Sequence, residues 1–161
     1  ADYANFLEIS EKDAKKEIEE DFNERIRQQF DDSDNITDEG ITAYTEKMAE
    51  VKQLAKYEVQ DAKEENGSYI VSVRVEPSDV FQTLQQSSTE VSNEKIKQGL
   101  DGSNPEVFAS VLTESIERSL EKNSYGKAVT VKVSVEKEDS GKYGLSDTEM
   151  SKLESAMFQT D

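Results

Sequence analysis

The sequence predicts an α+β domain: an antiparallel, curved sheet of three or four strands with amphipathic helices packed mainly on one face. Apolar residues recur at helical spacing in five segments, and two stretches alternate valine with polar residues. The strand segments are also bunched along the chain instead of alternating with helices, which favours antiparallel pairing. At 161 residues the chain fits one domain, 1–161, able to bury roughly 70% of its unfolded surface.

Residues 10–30 read as a helix, with Ser10 as N-cap, Asp13 completing a capping-box-like pair, and Ala14, Ile18, Phe22, Ile26 and Phe30 forming one stripe. The acidic run Asp31-Asp32-Ser33-Asp34-Asn35 breaks it. Thr37 then starts a second helix carrying Ile41, Tyr44, Met48, Val51 and Ala55 on one face. Strand character begins near Tyr57 and Val59. Asn66-Gly67 supplies a hairpin turn whose two central residues need positive φ. In the return strand Tyr69, Val71, Val73 and Val75 alternate with Ile70, Ser72, Arg74 and Glu76, until Pro77 stops it.

Ser78 is expected to cap the next helix, which runs through Val80, Phe81 and Leu84, continues on Val91, Ile96 and Leu100, and ends at Asp101-Gly102. Asn104-Pro105 places a cap and a proline at the start of a helix bearing Phe108, Val111, Leu112, Ser115, Ile116 and Leu120. Val129, Val131, Val133 and Val135 make the second clean strand. Asp139-Ser140-Gly141 turns the chain into a short edge strand with Tyr143 and Leu145, and Ser146 with Glu149 caps a last helix bearing Met150, Leu153 and Met157.

The segment Tyr69 to Pro77, the paired helices after it, Lys127 to Glu138, and Gly141-Lys142-Tyr143-Gly144-Leu145-Ser146-Asp147 together resemble a family of Gram-positive surface lipoproteins of unknown function. Tyr3-Ala4-Asn5-Phe6 and Ile9-Ser10-Glu11-Lys12-Asp13-Ala14 are similar to that family's early helical segment. The resemblance implies an extracellular, cell-surface-anchored protein whose lipidated Cys, flexible stretch and first helix precede Ala1. Ala1 is not an initiator Met, as expected if a targeting segment has been removed. A missing helix would leave the stripe of Ile18, Phe22 and Ile26, or that of Tyr44, Met48 and Val51, partly exposed, making a homodimer a possible state. The family brings no catalytic residues.

Composition narrows the function classes. Thirty-six acids face 19 basic residues, a net charge of −17, and no basic stripe is present to neutralise phosphates, so no nucleic-acid partner is expected. Anionic membrane surfaces are disfavoured for the same reason, leaving only the inferred lipid anchor as a link to the membrane. With no Cys and no His, thiol catalysis, structural zinc and the Ser-His-Asp triad are excluded.

Asp31, Asp32, Asp34, Asp38 and Glu39 fit either a solvated interhelical loop or a weak calcium site. An EF-hand register from Asp32 fails, because Ile36 falls on a ligand position and Thr37 on the glycine position. Tyr57, Tyr69, Tyr125 and Tyr143 fit aromatic packing or the lining of a small-molecule pocket. Arg74, Lys132 and Glu136 are expected to form cross-strand charge pairs. No catalytic, cofactor or metal residue is assigned, and the chain is expected not to be an enzyme. The leading expectation is a domain that binds a protein or small molecule; a cone-like ligand pocket and a carboxylate-dependent hydrolase are the alternatives.

Overall fold

The computed structural model describes residues 11–30, 35–137, 141 and 143–160. Its sheet is antiparallel and four-stranded, in sequence order: β1 (Lys56–Glu65), β2 (Ser68–Glu76), β3 (Val129–Lys137) and β4 (Tyr143–Leu145). The turn between β1 and β2 holds Asn66 at φ 54° and Gly67 at φ 86°, the conformation that selects Asn-Gly. Opposite residues put Val71 across from Val133, Val73 from Val131 and Val75 from Val129, so the two valine ladders share a face. Tyr57 and Val59 join it through their partners Val75 and Val73, before a bulge between Val59 and Ala62 breaks the register. Val73, Val75 and Val133 are buried there, while Val129, at the start of β3, stays exposed.

Five helices are described: α1 (Glu11–Arg27), α2 (Asp38–Lys52), α3 (Val80–Lys97), α4 (Pro105–Lys122) and α5 (Asp147–Met157). The terminal helix, α5, lies on the valine face, packing Leu153, Ala156 and Met157 against it. The other four pack chiefly on one another around Ile26, Met48, Val51, Val80, Ile116 and Phe158. Ile26, Met48 and Val51, expected to need a further helix as cover, are thus already buried in this cluster. Met157 touches both clusters and joins them.

The joint is polar as well as apolar. Ser78, fully buried, donates its hydroxyl to Asn123 Oδ1 at 2.6 Å and accepts from the Val80 N–H at 3.2 Å. Its backbone N–H reaches Met157 O at 2.8 Å, and its carbonyl accepts from Gln159 at 3.1 Å. Ser78 therefore bonds the first N–H of α3, but Asp79 is the residue in the N-cap position. The Asp79 carboxylate turns instead to the Ser124 N–H and hydroxyl, at 2.7 and 2.5 Å.

Other boundaries follow local chemistry. Thr37 caps α2 through the Gly40 N–H and Asn104 caps α4 through those of Glu106 and Val107. Ser146 caps α5 through the Glu149 N–H, but the Glu149 side chain accepts from Ser134 N–H of the sheet, at 3.0 Å, instead of closing a capping box. Helix α3 stops at Gly99, φ 76°, before Asp101-Gly102. There the Leu100 N–H bonds Lys95 O and the Gly99 N–H bonds Ile96 O, the paired bonds of a left-handed helix end. Ile96 and Leu100 are exposed, because the inward-facing series Val80, half-buried Leu84, Ser87 and Val91 extends to Lys95, which pairs with Glu114 of α4, and Ile96 is turned about 100° away from it. The expected cap Ser10 and the side chains of Asp13, Ala14 and Ile18 lie outside the described residues.

Candidate functional site: an apolar groove beside the edge strand

Helix α5 covers β2, β3 and β4 of the valine face but makes no comparable contact with β1. The uncovered strip forms a groove of about 310 Å³. Its floor is Val71, Val73 and Val133; Tyr57 and Val59 of β1 form one wall, and Met150, Leu153 and Met157 of α5 the other. Tyr57 is 63% exposed, Val59 60% and Met150 46%, values that mark these apolar side chains as open to a partner rather than as core. The groove is open, with none of the convergent polar groups that fix a small ligand in a closed pocket.

Among the described residues strand β1 is an edge, paired only with β2, and all ten of its residues are exposed. Glu58, Asp61, Glu64 and Glu65 form no ion pair among the described residues, whereas several cations of this strand and the neighbouring elements are engaged. Lys56 sits 3.5 Å over the Tyr125 ring, Lys52 pairs with Glu154 at 2.9 Å, and Lys152 donates to Lys132 O at 2.5 Å. The strand beside the groove thus carries an excess of unpaired acids.

The four tyrosines expected to share a lining do not converge. Tyr57 alone lines the groove. Tyr69 and Tyr143 stack edge-to-face at 5.3 Å, and Tyr125 donates its hydroxyl to Leu54 O at 2.9 Å, tying the sheet to the end of α2. Arg74 pairs with Glu76 of its own strand at 3.2 Å, a correction to the cross-strand pairing expected for it; Lys132 faces Ser72, and Glu136 faces Gly144. Asp31, Asp32 and Asp34 lie outside the described residues. Asp38 pairs with Arg27 at 3.2 Å and Glu39 stands beside it in the first turn of α2.

Shifted carboxyls on and beside these helices go one way. Salt-bridging hydrogen bonds from Lys122 and Arg118 hold Glu90 and Glu94 below the ordinary range, and the Ser103 N–H does the same for Asp101. Desolvation pushes Asp79 upward, but the two bonds from Ser124 outweigh it and leave that carboxyl lowered as well. Each of these groups favours its charged form, opposite to what a general acid needs. Among the described residues no cluster of three or more Asp or Glu side chains could hold a metal ion, and no helix is long and apolar enough to cross a membrane.

Sequence reasoning missed Val59 and Met150 as surface groups. The signal was present in β1, whose apolar alternation fails after Val59 where a strand buried on one face would continue it.

The chain matches no family model and no curated protein. Among solved structures it is similar to a candidate lipoprotein, ycdA, from Bacillus subtilis strain 168, with a TM-score of 0.59 and 17% identity. The match covers 91% of this chain and 47% of that one, so the chain spans about half the length of its structural neighbour. At that identity the likeness is one of fold: five helices and an open, four-stranded antiparallel sheet, the α+β architecture that the valine ladders and helical stripes predict.

Proposed function

We propose that this chain is a non-catalytic interaction domain of an extracytoplasmic, surface-anchored lipoprotein, and that it engages its partner through the groove between β1 and α5. The observation that carries the reading is an open apolar strip on an otherwise acidic surface, since exposed apolar surface rimmed by polar residues marks interaction sites. The fold likeness to the Bacillus lipoprotein, together with the sequence resemblance, supports the anchored location.

The groove is tested with an apolar fluorophore whose emission rises on burial. Val59→Lys and Met150→Lys, at exposed positions, are expected to keep stability within about 0.5 kcal/mol of wild type while each lowers the emission gain. No gain with wild type, or equal gain in all three, overturns the reading. Location is tested by palmitate-analogue labelling of the full gene product in a Gram-positive host; an unlabelled cytosolic protein overturns it.

A further inference from the structure

We propose that the occupant of the groove is an extended, basic segment of another polypeptide, added to the sheet as a strand along β1. The inference rests on reading the groove as a binding site and goes further by naming what fills it.

Two features coincide at β1. Among the described residues nothing pairs with its outer edge, whose backbone donors and acceptors are the template for strand addition. Tyr57 and Val59, two residues apart, point to the groove side. A strand lying alongside would set its own alternate side chains next to them, over the gap toward Met150. An aliphatic ligand would use only the groove; an added strand uses groove and edge together.

The bulge between Val59 and Ala62 limits pairing to the regular stretch Lys56–Val59. This selects a short segment with two apolar side chains two residues apart. The residue between them points to the opposite face, where Glu58 stands across from Arg74, itself paired with Glu76; beyond the bulge Asp61, Glu64 and Glu65 meet only Lys63 as an unengaged cation on the strand. Lysine or arginine at those places complements the acids of this strand. A second copy of this chain brings the same acidic edge and a further −17, which opposes self-pairing. The other sheet edge, β4, has three residues and little backbone to offer.

The probe is a capped ten-residue peptide alternating valine with lysine, titrated by fluorescence anisotropy against the full chain. Its controls are a peptide of the same composition with lysines and valines in separate blocks, one with glutamate for lysine, and two peptides N-methylated on alternate residues along one edge or the other. The alternating peptide is expected to bind at least about tenfold more tightly than the block and glutamate controls. One N-methylated peptide is expected to bind and the other to fail, because alternate amides face opposite edges of a strand. Val59→Lys and Glu58→Lys are each expected to weaken binding about tenfold.

Equal binding of the block peptide and of both methylated peptides reduces the effect to charge attraction and overturns the inference. So does displacement of the fluorophore by a fatty acid but not by the peptide, or a doubled light-scattering mass with peptide binding blocked. In those cases the groove itself stands, because the fluorophore test reads it independently.

Discussion

Replacing Ser78 with alanine removes one oxygen from the place where helices, sheet and the end of α5 meet. In the folded chain that hydroxyl donates to Asn123 Oδ1 and accepts from the Val80 N–H. Asn123 is half-buried and water can replace its lost partner, whereas Val80 is 1% exposed and its N–H has no such recourse. One buried polar group left unpaired costs about 1–3 kcal/mol. The four backbone bonds that tie Pro77, Ser78 and Asp79 to Gly126, Met157, Gln159 and Ser124 remain, so the variant is expected to fold. At about 2–4 °C per kcal/mol for a domain of this size, its melting temperature is expected to fall by about 2–12 °C. Circular dichroism during heating and urea titration measures this. Asn123→Ala supplies the second corner of a double-mutant cycle, in which the pair is expected to cost less than the sum of the singles. A Ser78→Ala melting temperature within about 1 °C of wild type, or strict additivity with Asn123→Ala, refutes the argument that this hydroxyl joins the two.

Val133→Asp, at a position 2% exposed, is expected to abolish cooperative melting by burying a charge among the valines, while Lys132→Ala on the opposite face shifts stability by less than about 1 kcal/mol; thermal melts of both check this. Gly40→Ala, favoured by about 1 kcal/mol on helix propensity alone, is instead expected to destabilise by about 1–3 kcal/mol, because the new Cβ would stand 2.8 Å from Ala109 Cβ and 2.9 Å from Ile36 Cγ1. The lowered carboxyl of Glu94 binds its proton less readily folded than unfolded. Its contribution is therefore complete above the ordinary carboxylate range, about pH 4.3, and is lost as the pH falls through the lowered value. The melting difference between wild type and Glu94→Gln is accordingly expected to be present at neutral pH and to vanish in strong acid, which melts across a pH series measure.

Where one residue's chemistry decides a feature, the sequence discloses it. Asn66-Gly67, Thr37, Asn104-Pro105 and Ser146 each announce a turn or cap from their own side chains, and the valine ladders reveal a sheet face because alternation is a property of a single strand. Features that depend on what lies opposite are harder to read. Ile96 and Val91 are equally apolar, but only the rotation of α3 against α4 separates the exposed one from the buried one. Ser78 looks like a cap until the chain beyond Leu120 is folded back upon it. The groove has the same character: Tyr57, Val59 and Met150 resemble core residues locally, and only the position of α5 over β2 to β4 leaves them uncovered.

The helical cluster that gathers Ile26 of α1 and Phe158 just past α5 in one place also sets a schedule for biosynthesis. Residues that close this cluster leave the ribosome far apart in time, and contacts between distant positions cannot form until the later partner exists. The hairpin of β1 and β2, local in the chain, has no such wait. A growing chain would therefore carry a formed hairpin beside helices with no finished interior, and its acidic charge would keep that intermediate dispersed until Phe158 arrives.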